Sequence, residues 1–152
     1  MGTVDIVTKE YMRENAIFAD AFNYLIYGGK KVIDPAGLTE VDTATSAVGK
    51  KDALQKYRDV LKAAVIKQDE KMSYVLLGIE NQTDVHYAMP VRNAIYDALQ
   101  YGRQVADIAA EHRRNKNDFS GKNNGEYLSG FLKEDHIRPV ITLVIHFGAE
   151  EW

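Results

Sequence analysis

The stretch Met72-Ser73-Tyr74-Val75-Leu76-Leu77-Gly78-Ile79-Glu80-Asn81-Gln82 decides the fold. Its run of Val75, Leu76, Leu77 and Ile79 is apolar and rich in branched side chains, as in a central β-strand. Side chains alternate along a strand, so Glu80 and Gln82 share one face and Ile79 and Asn81 share the other. A carboxylate and an amide at the end of a buried strand are costly unless partners or a cation meet them. The Glu80/Gln82 pair therefore needs something from elsewhere in the chain.

The nearest source lies just upstream. Tyr57 to Ile66 reads as a second strand. Its Ala, Leu and Lys also suit a helix. Val60, Val65 and Ile66, with the polar break Lys67-Gln68-Asp69-Glu70-Lys71, favour a strand and a hairpin into the Met72–Gln82 stretch. Antiparallel pairing then brings Asp59, near the start of one strand, to Glu80, near the end of the other. Two carboxylates meeting there, with Gln82 two residues on, make a hard-oxygen site suited to Mg²⁺ or Mn²⁺. Such a cation generates hydroxide from water and stabilises charge on a phosphate. Gln82 can hold the attacking water or a phosphate oxygen, but it cannot supply the positive charge of a lysine. Lys56 or Lys62 is the candidate replacement, although a regular strand points Lys62 to the face opposite Asp59. A purely structural alternative pairs Glu80 with Arg92 or another base.

Further out, Thr8 to Tyr27 reads as one helix with Thr8 as N-cap and Gly28-Gly29 as its stop. Its stripe is Ile17, Ala21 and Leu25, with Phe18, Phe22 and Ile26 beside it. Lys30 to Ile33 reads as extended, Asp34-Pro35-Ala36-Gly37 as a turn, Leu38 to Thr43 as a first strand and Ala44 to Asp52 as a loop. After Gln82 a helix starts at Thr83, Asp84 or nearer Pro90 and runs to Arg114. Val91, Ile95, Ala98, Leu99, Val105, Ala106 and Ala109 form its expected apolar face, and Ala94, Ala98 and Gly102 allow close packing on a sheet. His112 to Gly125 reads as a mobile polar loop, Glu126 to Lys133 as a short helix or turn, and Pro139 to Phe147 as a strand buried on both faces. The long helix is a crossover, so the strands on either side of it run parallel.

A chain of 152 residues, 45% hydrophobic and 27% charged, suits a single globular domain. The absence of cysteine excludes disulfides, thiolate metal sites and a cysteine nucleophile, and it fits a reducing, cytoplasmic setting. Asp5, Lys9 and Glu10 interrupt any early apolar run, so no signal peptide is expected, and no stretch has the length of a membrane span. A formal charge of −3 counts against a general nucleic-acid binder but suits a site that gathers carboxylates. His86, His112, His136 and His146 lie at no zinc-ligand spacing, and His146 on an apolar strand reads as a core residue. Gly28-Gly29 lacks the surroundings of a phosphate loop. Arg113-Arg114-Asn115-Lys116 reads either as a solvated loop or as a DNA-backbone contact.

Four stretches carry a likeness to a known family: 14–23 (Glu14 to Asn23), 57–61 (Tyr57 to Leu61), 78–83 (Gly78 to Thr83) and 87–97 (Tyr87 to Asp97). In these the chain resembles the recombination-promoting nuclease/putative transposase family of the PD-(D/E)XK nuclease superfamily. The resemblance covers most of the chain. It implies an α/β fold with a restriction-endonuclease-like αβββαβ core, a mixed sheet flanked by helices. It implies a Mg²⁺- or Mn²⁺-dependent endonuclease acting on DNA in recombination or transposition, with a homodimer as a candidate assembly. Asp59 matches the family's metal-binding aspartate, Glu80 the glutamate that shares the metal, and Gln82 the position of the superfamily lysine, which in this family is commonly glutamine. Glu14 is the candidate acidic ligand from the first helix, and Asn15 stands where many relatives have aspartate. Tyr96, Gln100 and Tyr101 follow the site and either face phosphate or pack. Relatives usually continue beyond the position of Trp152, so the chain resembles an N-terminal nuclease core. The alternative the resemblance leaves open is a nuclease-like fold without catalysis, acting as a DNA-binding or protein-interaction module.

Overall fold

The structure is a computed structural model and describes residues 3–41, 44–46, 55–57, 59–68, 71–115 and 119–152. Its strands are β1 (Thr39–Glu40), β2 (Ala44–Ser46), β3 (Gln55–Tyr57), β4 (Val60–Gln68), β5 (Lys71–Gln82) and β6 (Val140–His146). The helices are α1 (Thr3–Arg13), α2 (Asn15–Leu25), α3 (Met89–Arg114) and α4 (Asn124–Ser129). The fold is mixed α/β, with a four-stranded sheet in the order β1-β4-β5-β6 and a separate antiparallel pair, β2-β3.

β5 is a central strand, as its apolar run predicts. It pairs antiparallel with β4 from Val60–Ile79 to Gln68–Lys71, and parallel with β6 from Leu76–Val140 to Gln82–His146. The β4–β5 ladder includes Gln68 and Lys71, so the hairpin is present, while residues 69–70 of its turn lie outside the described residues. β4 opens at Val60 and not at Tyr57, because Tyr57 belongs to β3 and pairs with Ala44. The expected loop over 44–52 therefore holds a strand at Ala44–Ser46, and 47–52 lie outside the described residues. β1 is shorter than the expected Leu38–Thr43, whose last two residues lie outside the described ones. Lys30 to Ile33 is irregular rather than a strand. Its backbone polar groups go to Asn23, which accepts from the amides of Val32 and Ile33 at 2.9 and 2.8 Å and donates to the Ile33 carbonyl at 2.9 Å.

One face of the sheet carries α1 and α2. Phe18, Phe22 and Met12 pack there with Val60, Ala64, Val75, Leu77 and Ile79. The expected single helix is two helices, broken at Glu14 in an extended conformation (φ −63°, ψ 126°). Tertiary partners impose the break. The buried Lys62 ammonium donates to the Arg13 carbonyl and, at 2.5 Å, to Asn15 Oδ1. Asn15 Nδ2 donates to the carbonyls of Pro35 and Leu38 at 3.1 and 3.3 Å. Thr8 is thus interior to α1 and not an N-cap. The stop at Gly28-Gly29 holds, with φ of 59° and 85°, values that glycine adopts without steric cost. Leu25 and Ile26 are exposed, and the buried face of α2 is Phe18, Ala19, Phe22 and Asn23.

α3 covers the other face and starts at Met89 with Pro90 in its first turn. It is rotated from the expected orientation. Val91, Ile95 and Val105 are exposed, while Met89, Tyr96, Gln100 and Ala109 are buried. The sheet face beneath is polar at one end, and α3 turns its hydrogen-bonding side to it. Thr142 Oγ1 donates to Asp97 at 3.3 Å, the Val140 amide to Tyr101 Oη at 3.1 Å and the Arg138 amide to Gln104 at 2.6 Å. β6 is half-buried along its length and not buried on both faces, because it is an edge strand.

α3 extends to Arg114, and α4 begins at Asn124 behind a capping box of Asn123 and Glu126. Of the expected mobile loop between them, 116–118 lie outside the described residues. His112 Nε2 lies 2.9 Å from Asp135 Oδ2, a hydrogen-bond contact that ties the end of α3 to the approach to β6. Among the described residues no helix is long and apolar enough to cross a membrane.

Candidate active site

Val60 pairs with Ile79 at the end of the β4–β5 ladder. One residue further on, Asp59 stands opposite Glu80, as the hairpin predicts. Its Oδ2 accepts a 2.8 Å hydrogen bond from the Asn81 amide, which closes the end of the hairpin. Glu80 projects toward α3, where its Oε1 forms a 2.9 Å ion pair with Arg92. The Glu80 side chain is 3% exposed and that of Arg92 39%. Gln82, on the same face as Glu80, reaches Glu80 Oε1 with its Nε2 at a long 3.5 Å.

These groups line one cavity of about 220 Å³, together with Lys9, Asn81, Thr83 and Asp84. Three residues predicted from the sequence, Asp59, Glu80 and Gln82, are therefore brought together. Glu14 is not. It is exposed at the break between α1 and α2 and is not among the described residues lining the cavity. The backbone turn that Lys62 imposes at Arg13 sets the place of Glu14. Asn15 is committed to Lys62, Pro35 and Leu38.

The positive charge does not come from Lys62, which faces away from Asp59 and lies buried 5.1 Å from the Phe18 ring centroid. Burial pushes its ammonium below the ordinary lysine range, against the attraction of Glu40. The side chain of Lys56 lies outside the described residues. The cations lining the cavity are Arg92 and Lys9. Lys9 Nζ is 4.0 Å from Asp59 Oδ1. Arg92 Nε donates to Tyr96 Oη at 2.7 Å, and its guanidinium lies 5.5 Å from the Tyr96 ring centroid. Burial opposes the Arg92 charge, but the Tyr96 hydrogen bond and the charges of Glu80 and Asp59 outweigh it and raise the guanidinium above its ordinary value.

From the sequence Arg92 is only a structural partner for Glu80, and Lys9 and Asp84 are missed as neighbours. For Arg92 a signal exists. It follows the strand end by one loop and one helical turn, close enough to fold back over Glu80. For Lys9 there is none, because the expected helix starts at Thr8. Tyr96 acts on the site through Arg92, whereas Tyr101 holds the start of β6. Gln100 is buried and lies outside the cavity lining. His146 is half-buried, with Nε2 2.8 Å from the Glu150 carbonyl and its ring edge-on to Trp152.

The donors suit a hard cation. Mg²⁺ is commonly held by one or two carboxylates and keeps several waters. Asp59 and Glu80 supply two carboxylates, and the Gln82 amide supplies a further oxygen. Among the described residues no group of three or more Asp, Glu or His is placed to hold a metal by itself. Asn81 Nδ2 and Oδ1 are buried with no hydrogen-bond partner among the described residues, beside the same cavity. Unsatisfied buried amides of this kind are rare in proteins, and a bound water or ligand is one way they are met. Comparison of the chain with protein-family models, curated proteins and solved structures gave no match.

Proposed function

We infer that the chain is a metal-dependent DNA endonuclease that hydrolyses phosphodiester bonds. The observation that carries the reading is Asp59 set opposite Glu80 across β4–β5, in one cavity with Gln82. The strand order β1-β4-β5-β6, parallel only at β5–β6, with a helical layer on each face, supports a restriction-endonuclease-like αβββαβ core. In that reading the β2–β3 pair is an insertion between the first two core strands. The resemblance to recombination-promoting nucleases supports DNA as substrate and recombination or transposition as the setting.

Asp59 and Glu80 would hold Mg²⁺ or Mn²⁺. When bound, the cation polarises the phosphate and lowers the pKa of water at neutral pH. Asp59 is kept in place by the Asn81 amide, so it meets its ligand without reorganising. Gln82 directs its amide into the same space, where it can orient a water by accepting its proton in a hydrogen bond. Nicking of supercoiled plasmid in Mg²⁺ or Mn²⁺ is the direct test. Conversion to open circles that stops on addition of EDTA is the expected result, and an absence of metal-dependent nicking removes the reading.

One observation favours a second reading. The Glu80–Arg92 ion pair neutralises the buried carboxylate through Oε1 without a metal. In a nuclease-like fold that has lost catalysis it would serve as a structural bond, and the chain would act as a DNA-binding or protein-interaction module. Plasmid binding in a gel-shift assay with no nicking in any divalent metal would favour that alternative.

A further inference from the structure

Two carboxylates of the cavity, Glu80 and Asp59, each carry a monovalent cation. Glu80 has Arg92 at 2.9 Å and Asp59 has Lys9 at 4.0 Å. A divalent ion held by Asp59 and Glu80 would find both carboxylates already paired. It must exchange with those cations. The two members of the Glu80–Arg92 pair differ in their freedom to move. Glu80 is 3% exposed and fixed on the central strand, whereas Arg92 is 39% exposed on the first turns of α3. Tyr96 Oη accepts from Arg92 Nε, while a terminal nitrogen makes the contact with Glu80, the one that a competing anion would replace. A guanidinium binds phosphate oxygens through two parallel hydrogen bonds, a geometry that an ammonium lacks.

We propose that Arg92 is a catalytic residue of this site, a cation paired with Glu80 in the metal-free chain that would pair with the scissile phosphate when Asp59 and Glu80 hold a divalent metal. The proposal rests on Asp59 and Glu80 being metal ligands. It assigns to α3 the positive charge that Gln82 leaves missing on β5. In the hydrolysis that Arg92 assists, the water oxygen forms the new P–O bond and the bond to the leaving sugar oxygen breaks. One water proton ends on that leaving oxygen and the other passes to solvent. Arg92 forms no covalent bond. It offsets the negative charge that builds on the non-bridging oxygens in the transition state.

Because Arg92 and the metal compete for Glu80, the substitution Arg92→Gln has opposite effects on binding and on rate. Titration calorimetry with Mn²⁺ alone should show tighter binding, by about fivefold for the loss of a competing ion pair. Single-turnover plasmid nicking at saturating Mn²⁺ should slow by about a hundredfold, the loss expected for one preorganised charge donor. Arg92→Lys keeps the charge without the fork and should fall between in rate. Its folding also controls for any loss of packing against Tyr96. Unchanged Mn²⁺ affinity or an unchanged nicking rate in Arg92→Gln overturns the proposal and leaves Arg92 a structural partner. Failure of the wild-type chain to bind Mn²⁺ would instead remove the metal reading itself, and the proposal with it.

Discussion

Asp59→Asn and Glu80→Gln are each expected to slow metal-dependent nicking by about 10²–10³-fold, the scale for removing one charged group from a preorganised site. The amide replacements test charge and not packing. In Asp59→Asn the side-chain carbonyl oxygen can still accept from the Asn81 amide, so the end of the hairpin stays closed. In Glu80→Gln the remaining oxygen can still accept from Arg92 across the same 2.9 Å contact. Both variants should unfold within a few degrees of the wild type. Alanine is the poorer probe at Glu80, because it leaves a void beside a half-buried guanidinium and confounds lost chemistry with lost packing. The two variants should also bind Mn²⁺ more weakly by calorimetry. Nicking that persists at the wild-type rate in both would show that the reaction, if present, runs elsewhere on the molecule.

The largest effect on stability is expected at Lys62. The residue is 1% exposed on a central strand, among the apolar side chains under α1 and α2. A buried ammonium is ordinarily unfavourable, and burial lowers its pKa here. It is retained because it ends one helix and begins the next. It bonds the Arg13 carbonyl at the end of α1, which α1 itself cannot satisfy, and the side chain of Asn15 at the start of α2. Lys62→Ala leaves both part-buried acceptors without their donor and opens space beside Phe18. A loss of about 3 kcal/mol is expected from those unpaired groups together. Lys62→Met keeps the stem over the ring but not the donor, so it should cost less, about 1–2 kcal/mol. Urea unfolding followed by circular dichroism reads both values. An alanine variant as stable as wild type would mean that Arg13 and Asn15 find other donors.

The hairpin is legible because its signal is local. Branched apolar residues in 60–66 and 72–82 and a polar break between them mark both strands, and the face rule then places Asp59 against Glu80 and sends Lys62 away. What the sequence hides depends on distant partners. No glycine or proline lies between Thr8 and Tyr27, so nothing local marks the helix break at Glu14 that Lys62 and the Pro35–Leu38 carbonyls create. The orientation of α3 is hidden for a related reason. Its most apolar stripe, through Val91 and Ile95, competes with a polar stripe through Arg92 and Tyr96, and the polar end of β5 and β6 selects the latter. The source of the positive charge follows from that orientation, and so is not readable from β4 and β5 alone.

The two kinds of pairing made by β5 also set an order of events. Asp59 meets Glu80 through a hairpin that joins chain neighbours, whereas β6 reaches β5 only after the whole of α3 and α4 has been placed. Closing the short loop carries the smaller entropic cost and the faster rate. The acidic half of the site should thus assemble early in folding, and the long-range parallel seam late. Pulse-labelled hydrogen exchange during refolding should protect amides of β4 before those of β6. Simultaneous protection of the two would contradict this. On this ordering, the two like charges are forced together before the sheet is complete. In the folded chain Lys9 and Arg92 are the cations that offset that repulsion.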